Sequence, residues 1–499
     1  MKLNANLHPL KIAAAAMFLV FYATSLLSQT DIAWSEPIPV AASTFGASSP
    51  KLATLPNGEV VAIWGKSGSS PKIYFSRKAG DSFETPIQLS TSGIPPDIYG
   101  FGGLDLAVSG NKIFVVFENF DTGVHLLRSE DGGQTFLPPT SVFDPPAGDW
   151  TTLASIAVDG AGNPIVSVIR ELATETEARY IVVRSEDGGA SFLPPVVGSE
   201  PADGEFVCEC CPSDMVVAGD SVWLVFRNND NNLRDVWVTR STDHAATFDA
   251  ATDVDETDWM VDACPISGPR LQRLANDSLL AVWMSGASGQ GRIYSATLHS
   301  GTMSKGWQFP LPASNATGLQ SFPSIAGNGD TLCVIWEETG FGGNGGELVY
   351  KFSETGATGL MDYPPTNLTQ APGNQKYPDL RFANGAFHLI YQTGGALVYR
   401  RGPLAIINAA SETPTPSPLF ELLSNPASGS VLIKMHTIGQ ANLSLASSTG
   451  QAVEHWPLNV VSAGATVQLS LPSAIRAGFY FLSMEKNGVR WTEKLVMLK

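Results

Sequence analysis

The sequence predicts an all-β protein: an array of repeated four-stranded units followed by a small β-sandwich. Three observations carry that expectation. Glycine (48) and proline (34) are abundant in the 499 residues, which favours short strands joined by turns. Hydrophobic residues make up 43% and charged residues only 15%, a composition that folds around a core rather than staying disordered. Apolar strand pairs also recur at near-constant spacing as far as Arg401. The formal net charge is −17, from 47 acidic and 30 basic residues, so no basic face is expected and nucleic acid is excluded as a partner.

Residues 1–28 read as an export signal. Lys2 and Lys11 precede or open a charge-free run over 12–27, and the small residues Ser25 and Ser28 follow. The run is shorter than the roughly 20 residues that span a bilayer. Its removal takes the chain to −17 − 2 = −19. The mature protein is therefore expected outside the cytoplasm, without a transmembrane span.

A short segment then repeats. Ser129-Glu-Asp131-Gly-Gly133-Gln-Thr135-Phe136 recurs at Ser185 to Phe192 and Ser241 to Phe248, with a degenerate copy at Ser76 to Phe83. The starts at 76, 129, 185 and 241 are 53, 56 and 56 residues apart. The template S-x-D-x-G-x-[ST]-F suits a hairpin turn: the Asp accepts backbone N–H bonds and the Gly takes a positive φ. Each copy follows an apolar strand pair and precedes a short extended piece, giving four strands per unit, the blade of a β-propeller. Strand pairs without the turn continue at 270–298, 324–352 and 379–401. Seven blades result, with six as the alternative. The seventh lacks a fourth strand, which 32–40 is expected to supply, closing the ring and removing its exposed edges.

The repeated turn resembles the Asp-box, or BNR, motif of sialidase-like propellers. The resemblance implies that Asp131, Asp187 and Asp243 are structural and lie on the face away from the ligand site. A proline-rich linker is expected at 406–418, after a propeller spanning 30–405. Residues 419–499 change rhythm, with Ser424-Asn425-Pro426-Ala427, Gly450, Gly478-Phe479-Tyr480 and a terminal Lys494 to Lys499 strand. This stretch resembles the C-terminal sorting domain of type IX secretion cargo, which implies contact with that secretion machinery and release at the outer-membrane surface.

Sialidase chemistry needs three arginines on a carboxylate, an acid, and a Glu-activated Tyr. The first arginine of the family pattern is absent, because Ser49-Pro50-Lys51-Leu52 stands there. Arg170, Arg227, Arg270 and Arg381, with Asp262, Tyr377 and Tyr391, remain weak catalytic candidates. Arg227, Asn228, Arg234 and Asp262 are the candidate ligand-binding set. The expectation is a propeller that binds a glycan or surface protein axially without sialidase catalysis. The alternative is an exo-acting sialidase or another glycoside hydrolase. No cofactor is required under either.

Cys208-Glu-Cys210-Cys211-Pro212 and Cys264-Pro265 sit 53 residues apart by their Cys-Pro pairs, suggesting equivalent positions in adjacent blades. A disulfide from Cys264 to one of the 208–211 group is expected in an exported protein. Thiolate binding of Cu(I) or Zn is the alternative. Cys333, inside an apolar strand, is expected to be buried.

Overall fold

The computed structural model describes residues 29–407 and 419–498, apart from short interruptions at 44–45, 91–92, 174–177, 201–205, 315–316, 341–344, 363, 448–450, 461, 463 and 487–488. The expected export signal lies outside the described residues, as does nearly all of the expected linker. Among the described residues no helix is long and apolar enough to cross a membrane.

Seven antiparallel sheets occupy 47–88, 104–143, 150–197, 206–253, 270–310, 320–367 and 375–407; they are numbered blades 1 to 7. Their innermost strands are Ala47–Thr54, Leu104–Ser109, Trp150–Val158, Asp214–Ala218, Arg270–Arg273, Gln320–Asn328 and Gln375–Ala383. Each of these contacts the innermost strand of the next blade, and the seventh contacts the first, so the ring is closed. The fold is a seven-bladed β-propeller.

The blades are buried on both faces, which explains their continuous apolar runs. In Lys112–Asn119, Ile113, Val115 and Phe117 pack toward blade 1, while Phe114 and Val116 pack toward blade 3. This is the two-residue alternation of a strand with a core on each side. Seven apolar clusters result, one between every pair of neighbouring blades. Cys333 is fully buried between blades 6 and 7.

The N-terminal segment completes blade 7. Gln29–Ile32 and Ile38–Ala41 are two short strands rather than one, and both pair with Ala396–Ile407. They cover what would otherwise be an open edge.

The repeated turns behave as hairpin locks. Asp131 accepts the Thr135 N–H at 2.9 Å and its hydroxyl at 2.6 Å, and Ser129 Oγ accepts the Gly133 N–H at 2.8 Å. The copies at Asp187 and Asp243 repeat these bonds. Thr135 holds the Asp131 carboxyl down to about 2, and Ser191 does the same for Asp187. Phe136 packs edge-on against Phe75 of blade 1, ring centroids 5.1 Å apart. The degenerate copy has no such lock: Lys78 replaces the Asp and bonds the Gly80 carbonyl. These turns follow the third strand of each blade, which runs parallel to the first. They therefore lie at the end where innermost strands finish, and the end where innermost strands begin is the mouth.

Residues 419–498 form two sheets. Phe420–Leu422, Ser430–Met435 and Thr466–Ser470 make one, and Gly439–Ser447, Ala452–Val460, Gly478–Lys486 and Val489–Met497 the other. They enclose a core of Val431, Ile433, Leu443, Leu445, Leu482, Met484 and Leu495. Asn425 brackets the last strand, donating to the Lys494 carbonyl and accepting the Val496 N–H. That accounts for the Asn-Pro-Ala sequence near the start of the module.

Deleting 29–41 is expected to expose the blade 7 edge and produce aggregation with a lowered melting temperature, whereas deleting 408–499 leaves melting unchanged within a few degrees. Equal melting of the two truncations by scanning calorimetry contradicts the closure.

Candidate functional site

The inner edge of each innermost strand has no strand partner, so its N–H groups need acceptors. Short polar side chains of the preceding blade supply them. Asp379 accepts the Leu52 N–H at 2.8 Å, Asp105 that of Ile156 at 3.1 Å, and Asp214 that of Leu271 at 3.0 Å. Ser324 accepts the Leu380 N–H at 3.1 Å, and Ser267 that of Phe322 at 2.9 Å. The two remaining junctions use side chains alone: Lys51 and Asp105 pair at 3.5 Å, and Ser213 meets Ser155 at 3.1 Å and Ser167 at 2.8 Å. All seven blade junctions are thus tied along the axis.

Above this girdle the innermost strands bulge. Register shifts fall at 48/51, 152/155, 321/324 and 376/379. Each shift holds a non-glycine residue at positive φ: Ser49 (52°), Leu153 (58°), Phe322 (49°) and Tyr377 (53°). Such bulges re-aim side chains at the cost of backbone strain. Neighbouring groups hold them in place. Glu337 accepts the Tyr377 N–H at 2.6 Å, Glu118 accepts the Ala154 N–H, and Ser49 Oγ donates to the Gly102 carbonyl at 2.7 Å.

The bulges open an axial cleft of about 410 Å³, solvent at its mouth included. Ser49, Lys51, Phe101, Arg270, Phe322, Tyr377 and Asp379 line it, with Pro50, Pro212, Pro323 and Pro378. Gly268 also lines it, and a Cβ there would collide with the Pro212 carbonyl. Phe322 and Tyr377 meet edge-to-face at 5.0 Å. Outside the cleft, on blades 2 and 3, stand Tyr99, Phe120 and Trp150, 38%, 61% and 40% exposed. Phe120 and Trp150 are 5.9 Å apart, edge to face.

The four candidate arginines do not form one clamp. Arg170 is paired with Asp149 at 2.5 Å at the rim of blade 3. Arg227 is fully buried and donates to the Arg234 carbonyl at 2.5 Å and the Met284 carbonyl at 2.6 Å, which makes it a strut between blades 4 and 5. Arg381 pairs with Asp379 at 3.0 Å, below the cleft, and Arg270 alone of the four lines it. Asp105 is buried, which pushes its carboxyl up, but the charges of Lys51, Arg381 and Arg270 pull it lower still. Lys51 is thus already engaged with a carboxylate.

Of the ligand-binding set, Asn228 and Arg234 are buried and Asp262 is exposed. Asn228 accepts the Asp235 N–H, and Arg234 contacts Cys208 and Glu209. Tyr377 lies in the cleft, whereas Tyr391 is buried in blade 7 beside Arg400.

Cys210 and Cys264 form a disulfide between blades 4 and 5, Cα atoms 6.1 Å apart. Cys264-Pro265 is not the equivalent of Cys211-Pro212: Cys211 stands three residues before the inner strand Asp214–Ala218, and Cys264 stands six before Arg270–Arg273. Cys208 and Cys211 are buried thiols with sulfurs 3.0 Å apart. The sulfurs of Cys208, Cys210 and Cys211 lie within 4.8 Å of one another. With Cys210 committed to the disulfide, only two thiols remain, and they do not fit a zinc. Sulfurs each about 2.3 Å from a tetrahedral ion would stand about 3.8 Å apart.

Sequence reading did not single out Asp105, Asp214, Asp379, Glu118, Glu337, Phe120 or Trp150. For Asp105, Asp214 and Asp379 the usable signal was a lone acid in an inner strand.

No protein-family model matches the chain, and no curated protein matches it. Among solved structures it is similar to an α-L-arabinofuranosidase of Fusarium graminearum (11% identity, 74% of this chain and 97% of that chain, TM-score 0.43). A sialidase of Trypanosoma rangeli is similar at 10% identity over 93% of this chain and 89% of that one, TM-score 0.43. So is PorZ, a surface component of the type-IX secretion system of Porphyromonas gingivalis, at 13% identity over 90% of this chain and 59% of that one, TM-score 0.41. The fold assignment rests on the strand pairing described above.

Burial pushes Glu118 up from 4.5 to about 7, outweighing its bonds from Ala154 and Leu153. A carboxyl raised on folding costs nothing below pH 4.5, and its penalty grows as pH rises toward 7. Glu118→Gln is therefore expected to raise the melting temperature at pH 8 and leave it unchanged at pH 4.5. The same shift at both pH values contradicts a buried, proton-favouring carboxyl.

Proposed function

We propose that this chain is an exported, non-catalytic propeller whose mouth binds a glycan. One observation carries the reading. The exposed large aromatics described in 29–407 are Tyr99, Phe120 and Trp150, and all three stand at the mouth on two adjoining blades. Exposed aromatic faces grouped at one site mark an interaction surface, and their flat apolar faces suit the C–H faces of sugar rings. The cleft beside them adds Ser49, Arg270 and Tyr377 as polar groups that fix orientation.

Binding is favoured over hydrolysis by how the acids are used. Glu118 and Glu337 hold bulge backbone, Asp105 and Asp379 hold neighbouring strands and cations, and Arg170 is matched by Asp149. A glycosidase needs two carboxyls directed at one sugar bond, and these point into the scaffold. Export by residues 1–28 and surface delivery by 419–499 through type IX secretion belong to the same proposal, on the sequence resemblance already given.

A glycan array with the full chain, beside a fluorogenic sialoside assay, tests it. Glycan binding without sialoside release is expected, and Trp150→Ala should weaken binding about tenfold or more, the loss of roughly 1.4 kcal/mol. Release of the fluorophore at enzyme rates overturns the reading. So does undiminished glycan binding by Trp150→Ala. Capture of a surface protein but no glycan moves the ligand to another class.

A further inference from the structure

The four cysteines of blades 4 and 5 are arranged as a chain of sulfurs leading from the interior to the surface. Cys208 and Cys211 are fully buried, Cys210 is half-buried, and Cys264 is exposed on the 261–264 loop. Cys208 Sγ is 3.0 Å from Cys211 Sγ and 3.7 Å from Cys210 Sγ, and Cys210 is bonded to Cys264. A buried thiol therefore lies in contact with a surface disulfide on one side and with a second thiol on the other.

The surroundings suit a nucleophilic sulfur. Arg234 Nη1 donates to Cys208 Sγ at 3.1 Å, and Arg234 is itself held by Glu209 at 3.3 Å and by the Trp259 carbonyl, which its N–H meets at 2.9 Å. A guanidinium beside a thiol favours the thiolate. Burial pushes Cys208 up, but its bond with Cys211 and the charges of Arg227 and Arg234 bring it below an ordinary thiol. The Cys208 N–H donates to the Arg227 carbonyl at 2.8 Å, and Tyr180 Oη donates to the Cys211 carbonyl, so the 208–211 turn is fixed by its own blade and by blade 3.

We propose that Cys208, Cys211, Cys210 and Cys264 form a thiol–disulfide exchange relay that passes two electrons from the buried thiol pair to a small-molecule or peptide disulfide at the mouth. In the first step the Cys208 thiolate attacks Cys210 Sγ. The Cys208–Cys210 bond forms, the Cys210–Cys264 bond breaks, and the electron pair leaves on Cys264, which takes a proton from water. In the second step Cys211 attacks Cys208 Sγ. The Cys208–Cys211 bond forms, and the pair leaves on Cys210, which receives the proton that Cys211 gives up. One disulfide and two thiols are present before and after, so this exchange needs no outside oxidant. The surface now carries two thiols, which reduce the incoming disulfide to two thiols and re-form Cys210–Cys264. Thiolate attack through a mixed disulfide is the ordinary route of such exchange.

Oxidised glutathione is the probe, with the full chain purified without reductant. Each chain is expected to release two glutathione molecules and to end with Cys208–Cys211 and Cys210–Cys264 both bridged, read by alkylation and peptide mapping. Cys208→Ser should slow release at least tenfold. Cys211→Ser should stop at a Cys208–Cys210 bridge with one glutathione disulfide-bonded to Cys264 and one glutathione released, a result readable even if one of the other variants folds poorly. The double variant Cys210→Ser with Cys264→Ser keeps the buried thiols but removes their outlet, and should also lose release. Undiminished release from the double variant overturns the relay, because the buried thiols would then be reacting directly. A wild-type map showing only Cys210–Cys264 after glutathione treatment overturns it too, as does metal bound stoichiometrically by all four sulfurs.

Discussion

The structure depends on what happens at the inner edge of each blade. A propeller blade is an open sheet whose innermost strand faces the axis with unpaired backbone groups. Closing the ring removes outer sheet edges but cannot pair these N–H groups with another strand, because neighbouring blades are not continuous sheets. Here Asp105, Asp214, Asp379, Ser267 and Ser324 reach across the junctions and accept them. A buried N–H without an acceptor costs about 1–3 kcal/mol, so each of these five junctions gains a directional bond that the apolar cores cannot supply. The cores supply cohesion, and the girdle sets the spacing and register of adjacent blades.

That girdle shapes what the axis can do for a ligand. The short acids nearest the axis are engaged with backbone or with Lys51 and Arg381, and the glutamates above them hold the bulges. In the proposed reading these polar groups serve as scaffold. The proposed recognition surface consists of residues at the bulges, Phe322 and Tyr377, and the aromatics of the neighbouring rim. The cysteine cluster lies at the same end, where the long 206–212 and 254–269 connections of blades 4 and 5 meet.

The repeat made the fold legible. Octapeptide turns at fixed spacing give blade pitch, and continuous apolar runs give strands buried on both faces. Closure by the N-terminus was readable because the last unit was one strand short. The site was less legible for a physical reason. Arg227 looked like a ligand-binding residue at the end of a strand, yet it is buried as a strut, and nothing in its local sequence shows that Met284, 57 residues on, supplies the carbonyl it bonds. The reverse holds for Asp105 and Asp379: lone acids in apolar strands, they read as ordinary exposures until the neighbouring blade is in place. The choice of Cys210 as the partner of Cys264 likewise depends on how the 208–211 turn is seated, not on spacing.

Backbone hydrogen exchange followed by mass spectrometry in wild type and Asp379→Ala tests the central claim most directly. The account predicts slow exchange in Ala47–Thr54 of the wild type and a selective loss of that protection in the variant, on the blade that follows the substitution. Protection around Arg270–Arg273, where Asp214 is the acceptor, should be unchanged. Fast wild-type exchange in Ala47–Thr54, or a loss confined to Gln375–Ala383 itself, would contradict the claim that side chains of one blade hold the innermost strand of the next.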